Sequence, residues 1–223
     1  MNTLLANATN YRAGRLAEIR FIVIHYTAGN GDTAYNNCRY FQGANRGAGA
    51  HYFVDENEVW QSVPDKDTAW HCGAITYRHP ECRNANSIGI EMCSRIEYGE
   101  YVIPERTVER AAELAHELME KYSIPAERVL RHYDVTGKAC PEPFVREPDQ
   151  WTAFLDKIKE DGMTEADVRR IVAEVLRGDG TSVSATLKPE FDAAVAKGVT
   201  DGTRPGGYAT RAQVAVMIER ATK

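Results

Sequence analysis

One short stretch, residues 131–141, carries an imidazole, an ammonium and a thiol close together. His132 and Cys140 are both residue types that bind zinc, and Lys138 lies two positions before the cysteine. The stretch is rich in Gly and Pro, and this composition predicts a loop rather than a regular helix. We therefore expect a reactive loop in which two side chains can hold a metal ion beside a cation.

A third residue of the same type follows an apolar, β-branched run. Residues 20–26 are predicted to form a buried strand, and His25 lies near its end. A lone histidine in that position more often packs in a core than binds a metal. Two histidines and one cysteine, however, leave the fourth tetrahedral position of a zinc ion open to water, as in catalytic sites. Together, His25, His132 and Cys140 predict a catalytic zinc site.

A carboxylate interrupts a second predicted strand, residues 87–93, in which the side chains alternate. Ile88 and Ile90 share one face, and Glu91 lies on the other. Glu91 is either in water on an edge strand or a general base that accepts a proton from the attacking water. Lys138 is likewise either a solvated surface charge or a cation that stabilises the oxyanion formed when a carbonyl is attacked.

These motifs resemble the zinc-dependent N-acetylmuramoyl-L-alanine amidases, the type-2 amidase family that is related to phage endolysins and peptidoglycan recognition proteins. The resemblance covers roughly residues 20–145, and its sharpest motifs are IVIHYT, SIGIE and RHYDVTGKACP. It implies that His25, His132 and Cys140 hold Zn²⁺. It also implies a substrate, the amide bond between N-acetylmuramic acid and L-alanine of peptidoglycan.

The resemblance implies roles for the two charged residues as well. A lysine at the position of Lys138 stabilises the oxyanion in similar enzymes. Members with an SIGIE-type strand use its glutamate, here Glu91, as the general base. Other members use a tyrosine on the strand that corresponds to residues 50–52, where this chain has Ala50. The role of general base is therefore expected for Glu91.

Four further residues are expected near the site. AWH-type loops recur beside the substrate in similar amidases, which suggests Trp70 and His71 as substrate-binding residues of the groove wall, although a tryptophan can also simply pack. His51 is expected to pack or hydrogen-bond there, in contact with substrate, rather than to bind metal. Asp134 either orients His132 or caps the loop.

The elements that would position these residues indicate an α/β catalytic domain at about 1–160, with a mixed central sheet flanked by helices. Besides the two strands, the predicted elements are a helix over 33–42, a β-hairpin over 50–61, a long loop over 70–86, a helix after Pro104, a strand over 128–131 and a closing helix around Trp151.

The sequence pattern changes after residue 161, and the pattern of residues 161–223 predicts a small all-α module. Helices are predicted over 164–176, 191–197 and 210–221, with a Gly/Ser/Thr-rich linker over 177–188. Residues 189–221 resemble one S-layer-homology unit, which implies wall binding; the alternative is a helix pair for folding or oligomerisation. Such repeats usually need about three copies to close a core, so we expect the module to associate between chains as a dimer or trimer.

Composition excludes several classes of protein. Of 223 residues, 43% are hydrophobic and 26% charged, as in ordinary soluble globular proteins, and the formal net charge of −5 disfavours nucleic acid as a partner. No run approaches the length of a membrane span, and the first residues do not read as a secretory signal. We therefore expect a protein made in the cytoplasm of a bacterium, phage-infected in the endolysin interpretation, that acts on the wall after release.

The cysteines form an odd and scattered set without a CxxC motif: Cys38, Cys72, Cys82, Cys93 and Cys140. If Cys140 binds metal, the other four could form two disulfides in three possible ways, but reduced thiols are the simpler interpretation. A redox protein is disfavoured because no motif supports one.

An amidase, most simply a phage endolysin, is therefore the predicted function. A bacterial autolysin would have the same chemistry. The alternative from another class is a non-catalytic peptidoglycan recognition protein, but such relatives generally lack the cysteine ligand, and Cys140 is present.

Overall fold

A six-stranded mixed sheet forms the centre of the computed structural model, which describes residues 1–159 and 188–196. The strands are, in chain order, β1 (Asn2–Thr3), β2 (Tyr11–Arg12), β3 (Phe21–Tyr26), β4 (Tyr52–Val54), β5 (Val59–Gln61), β6 (Thr68–Ala69), β7 (Ser87–Met92), β8 (Arg95–Glu97), β9 (Glu100–Val102) and β10 (Val129–Arg131). In the sheet they have the order β1-β5-β4-β7-β3-β10, where β4 and β5 are antiparallel and the other neighbours parallel. This arrangement confirms the predicted α/β class with a mixed sheet.

Helices flank the sheet. They are α1 (Ala34–Gln42), α2 (Glu105–Tyr122), α3 (His132–Thr136), α4 (Glu142–Arg146) and α5 (Pro148–Lys157), with 3₁₀ turns at Asn84–Asn86 and Ala126–Arg128. A further helix, α6 (Lys188–Ala196), follows later in the chain. The predicted strands, hairpin, α1, α2 and α5 therefore all form, with ends within a few residues of the expected ones. β2 pairs with β6, and β8 pairs with β9, as two small antiparallel ribbons outside the main sheet.

The main core lies between one face of the sheet and helices α2 and α5. The inward side chains of β7 alternate with outward ones, as the pleat requires, so that Ile88, Ile90 and Met92 are fully buried. They pack against the apolar stripe of α2, which includes Ala111, Ala115 and Leu118. This face of the sheet is therefore structural, and the opposite face is left to form a site.

The stretch after β10 differs from its prediction. Residues His132–Thr136 form a five-residue helix, where the Gly and Pro content predicted only a loop. Asp134 stabilises the helix start, because its carboxylate accepts a hydrogen bond from the backbone N–H of Arg131 (2.9 Å). The helix ends at Gly137, whose φ of 86° is left-handed. Capping at both ends thus outweighs the composition of the stretch.

The chain divides into two compact units, Met1–Asp161 and Gly162–Lys223. In the second unit, α6 covers most of the helix that was predicted over 191–197. The helices predicted over 164–176 and 210–221, the linker, most of the S-layer-like stretch and the expected association between chains lie outside the described residues. Within the described ranges no helix has both the length and the apolar content needed to cross a membrane.

Candidate metal and catalytic site

Three neighbouring parallel strands, β7, β3 and β10, end at the same edge of the sheet. His25 is the fifth residue of β3, and its register partner on β7 is Glu91. On the other side Arg131 pairs with Ile24, so His132 follows at the level of His25. Ligands commonly bind at the carboxyl ends of parallel strands, and here two imidazoles and a carboxylate meet there.

The loop after α3 adds the third candidate ligand. Its return toward the sheet is held by two backbone hydrogen bonds, from Tyr133 N–H to the Cys140 carbonyl (2.9 Å) and from Cys140 N–H to the Lys138 carbonyl (2.7 Å). As a result Cys140 Sγ lies 3.7 Å from His25 Nδ1. Ligand atoms of His25, His132 and Cys140 all lie within 4.8 Å of one another.

The burial of these three residues suits a metal ion. Exposed fractions are 1% for His25, 6% for His132 and 3% for Cys140. His132 Nδ1 is sealed from solvent and has no hydrogen-bond partner among the described residues. A buried nitrogen without a hydrogen-bond partner destabilises the folded state. The unpaired His132 Nδ1 therefore indicates that a bound group, such as a metal ion, completes the site.

Electrostatics keeps both imidazoles neutral, as metal ligands must be. Burial, then the neighbouring His132 and His71, hold the pKa of His25 well below its ordinary value. Burial and Lys138 lower the pKa of His132 to about 4. Burial, reinforced by the charge of Glu91, raises the pKa of Cys140 to about 12, so a nearby cation is needed to stabilise its thiolate. A His/His/Cys set of this kind fits a metal such as zinc.

Glu91 is half-buried, and its Oε2 atom is inaccessible and has no hydrogen-bond partner in the described part of the chain. Burial is the main cause that raises its pKa, to about 8; the charge of Asp32 adds to the increase and the charge of Lys138 opposes it. The interpretation of Glu91 as an edge residue in water does not fit, because β7 lies between β4 and β3 in the sheet. A perturbed carboxyl beside a candidate metal site is typical of a catalytic group.

A cleft of about 450 Å³ opens beside these residues. Lys138, Trp70 and His71 all line it, which places three sequence-predicted residues beside His132 in one open space. Its other lining residues are Gly47, Ala48, Gly73, Ala74, Asn84 and Thr136. Most of these small residues carry no chemical signature, so sequence reasoning missed them.

His51, which the sequence grouped with the substrate-binding residues, is fully buried. Its Nδ1 accepts a hydrogen bond from the Gly89 N–H (3.0 Å), and its Nε2 lies 2.7 Å from an Arg15 guanidinium nitrogen. A side chain without exposed surface cannot contact a substrate, so a substrate contact does not fit this residue. Its hydrogen bonds instead connect β7, through Gly89, to the segment that contains Arg15.

The geometry bears on the role of Asp134 and on the tyrosine that other family members use as the base. Asp134 caps α3 and forms an ion pair with Arg131 (2.8 Å), which supports capping rather than a contact with His132. Tyr52, the nearest tyrosine to Ala50 in sequence, donates its hydroxyl hydrogen to Asp65 and packs in the main core on the opposite face of the sheet. It therefore cannot replace Glu91 at the site.

All five cysteines are buried and free. Reduced thiols, the simpler interpretation of the sequence, are therefore what the structure contains. Only Cys140 is part of the candidate metal cluster.

Comparison with known proteins finds relatives among amidases. Residues 15–143 match a family model described as N-acetylmuramoyl-L-alanine amidase. A probable N-acetylmuramoyl-L-alanine amidase of Bacillus licheniformis is 38% identical over an alignment of 153 residues, and the alignment covers 65% of this chain and 42% of the relative.

Two solved structures are also similar. PlyL has a TM-score of 0.62 at 26% identity and covers 73% of this chain and 98% of its own. A mutant endolysin from Bacillus subtilis has a TM-score of 0.58 at 27% identity and covers 70% of this chain and 97% of its own. The chain covers only 42% of the length of each of two amidases of Bacillus licheniformis. Those proteins are therefore much longer than the region that they share with this chain.

Proposed function

This chain belongs to the N-acetylmuramoyl-L-alanine amidase family, and we propose that it hydrolyses the amide bond between N-acetylmuramic acid and L-alanine in peptidoglycan. The observation that carries the proposal is the convergence of His25, His132 and Cys140 to within 4.8 Å at the end of β3, with Glu91 as the register partner of His25. A non-catalytic recognition protein is disfavoured because all three ligands and a candidate base are present together.

In this proposal His25, His132 and Cys140 hold Zn²⁺. The orphaned Nδ1 atom of His132 and the neutral state of both imidazoles support that assignment. When bound, zinc would polarise the substrate carbonyl and activate a water molecule as the nucleophile. The thiol of Cys140 would lose its proton on metal binding, because a cation favours the thiolate over the thiol.

Glu91 is proposed as the general base. Its Oε2 atom has no hydrogen-bond partner within residues 1–159 and 188–196, and it is therefore positioned to accept a proton from the attacking water. A cation in the adjacent site would lower the raised pKa of Glu91 and so favour the ionised form that the role requires. The protonated carboxyl would then deliver the same proton to the departing nitrogen of L-alanine.

Lys138 is proposed to stabilise the oxyanion that develops on the substrate carbonyl. It lies in the cleft with His132 and is close enough to lower the pKa values of His25, His132 and Glu91 by its charge. Because negative charge grows on the carbonyl oxygen only in the transition state, such a contact accelerates the reaction rather than tightening substrate binding. Trp70 is proposed to contact the substrate along the cleft wall.

An endolysin is the form of amidase that we propose, since an endolysin is among the similar structures. A bacterial autolysin is the second candidate, because the chain is also similar to amidases of bacilli. Both would act on peptidoglycan by the same reaction. A wall-binding or oligomeric role for residues 161–223 is part of the proposal and depends only on the resemblance of their sequence.

Mass spectrometry of digested cell walls tests the reaction. Walls treated with the chain should release free stem peptides that carry a new alanine amine, and the glycan should keep lactyl groups without peptide. The Cys140→Ser chain serves as a matched blank. Stem peptides that remain attached to muramic acid after complete digestion with the wild type would overturn the proposed function.

A further inference from the structure

Both ring nitrogens of His71 are occupied by residues of this chain. Nδ1 lies 3.0 Å from Nε2 of His25, and Nε2 lies 3.1 Å from the hydroxyl oxygen of Ser87. The His71 ring lines the cleft but has no nitrogen left for a substrate. Its hydrogen bonds instead connect the metal-binding strand β3 to the start of β7.

The direction of each hydrogen bond in this chain follows from Ser87. Its hydroxyl lies 2.7 Å from the backbone carbonyl of Arg83, and a carbonyl can only accept. Ser87 therefore uses its single proton there and must accept the hydrogen bond from His71. The proton of a neutral His71 ring is thus on Nε2, and its Nδ1 carries a lone pair.

This lone pair determines the tautomer of His25. His71 Nδ1 accepts, so His25 must donate from Nε2. A neutral imidazole, the form that a metal ligand takes, carries only one proton. Nδ1 of His25 is therefore left with a lone pair, and this is the atom that lies 3.7 Å from the sulfur of Cys140.

The backbone of β7 leaves room for His71. A Cβ atom at Gly89 would lie 2.5 Å from Cγ and 2.7 Å from Nδ1 of the His71 ring, far inside van der Waals contact. Gly89 does not have a left-handed φ, so its backbone conformation suits any residue. The space required by the His71 ring is therefore the reason for a glycine here.

We propose that His71, oriented by Ser87 and seated against Gly89, is a positioning residue that fixes His25 in the Nε2–H tautomer and leaves its Nδ1 to bind the metal. This inference rests on the proposed metal site and adds a role that differs from the substrate contact expected for His71. Partners of this kind orient the ligand ring, and their loss typically lowers metal affinity by about 10- to 100-fold.

The test uses the full chain and two readouts. Zinc affinity is measured by competition with a chelator, and the tautomer of His25 by long-range ¹H–¹⁵N NMR of the metal-free protein. The wild type should bind zinc and show His25 protonated on Nε2 alone. His71→Ala should weaken zinc binding about 10- to 100-fold and give a mixture of tautomers. His71→Asn should recover most of the affinity, because its amide oxygen can take the place of Nδ1 as acceptor.

Further variants separate positioning from general loss of structure. Gly89→Ala should weaken zinc binding in the wild type but have little further effect in the His71→Ala background, since the ring that it displaces is already absent. His116→Leu, a change in α2, is the control and should leave zinc affinity unchanged. If His71→Ala does not fold, Ser87→Ala is measured in its place and should also give mixed His25 tautomers.

The outcomes distinguish this inference from the proposed function. A wild type that binds zinc, together with folded His71 and Ser87 variants that bind it equally well and keep the single tautomer, would overturn the role of His71 alone. A wild type without measurable zinc affinity would overturn the metal site itself and this inference with it.

Discussion

Glu91 and His25 are direct register partners on the parallel strands β7 and β3. Adjacent residues in such a pair project their side chains from the same face of the sheet. The candidate base and a candidate metal ligand are therefore held side by side by backbone hydrogen bonds rather than by flexible loops. Because the strands fix the backbone positions of both residues, a substitution at either one should change the side-chain chemistry with little change in the backbone.

Cys140→Ser should lose both zinc and activity. A thiolate provides charge and softness that a hydroxyl does not, and a serine hydroxyl would not ionise in this buried position. Metal content measured by mass spectrometry, together with release of stem peptides, checks the result. Cys38→Ser, a change at another fully buried thiol, is the matched control and should keep zinc. Retention of full activity and metal by Cys140→Ser would refute the ligand assignment.

Glu91→Gln should keep zinc and fold while turnover falls by a factor on the order of 10² to 10⁴, the usual contribution of one general base. The amide has nearly the shape of the carboxylate but cannot accept the proton. Steady-state kinetics on soluble muropeptides measures the effect. Glu97→Gln, on the exposed ribbon strand β8, is the control. Unchanged turnover in Glu91→Gln would mean that another group is the base.

Lys138→Ala should lower kcat much more than it raises KM, because the proposed contact forms mainly in the transition state. The expected loss in kcat is on the order of 10²- to 10³-fold, as for other oxyanion donors. Lys66→Ala, at an exposed lysine outside the cleft lining, controls for a change in net charge. An effect on KM alone would make Lys138 a substrate anchor instead.

Asp65 predicts a pH dependence of stability outside the site. Its Oδ2 accepts hydrogen bonds from Lys121 (2.8 Å) and the Tyr122 hydroxyl (2.7 Å), and its Oδ1 accepts one from Tyr52. Burial alone would raise the pKa of Asp65, but Lys121 and the two hydroxyls lower it overall. The folded pKa is thus below that of the unfolded chain, so this stabilisation is present above about pH 4 and is lost as the pH falls through the folded value.

Asp65→Asn should therefore reduce the free energy of unfolding at pH 7 by about 1.5–3 kcal/mol, the usual contribution of hydrogen bonds to a charged group. The difference from the wild type should shrink in acid, where the wild-type carboxyl is also neutral. Urea unfolding at pH 7 and at lower pH measures both effects. Asp156→Asn, at an exposed position of α5, is the control. A difference that is the same at every pH would contradict the account.

A chain that ends at Asp161 should fold and bind zinc, because the compact unit Met1–Asp161 contains every residue of the candidate site. If residues 161–223 associate between chains as their sequence suggests, light scattering should show a larger full-length particle and a monomeric truncation. The truncation should also be weaker against intact walls, where several weak contacts act together. A monomeric full-length chain would contradict the expected association.

The sequence indicates candidate site residues where a chemically reactive residue type coincides with a strand end. His25 follows an apolar run, and Glu91 lies on the outer face of an alternating strand, so both patterns indicate position as well as identity. The error over residues 132–136 arose because Gly and Pro content was weighed without the capping carboxylate of Asp134. A short helix depends on its ends more than on its composition.

By itself, the sequence determined the fold class, the strands that carry the site and the three candidate ligands, since periodicity and residue type are local properties of the chain. Only the tertiary structure decided that Glu91 and His25 are neighbours, that His51 is sealed in the interior and that His71 connects His25 to Ser87. These relationships join residues far apart in the chain, and no local period encodes them. They depend on strand order and on the direction of single hydrogen bonds, which arise only when the sheet is assembled.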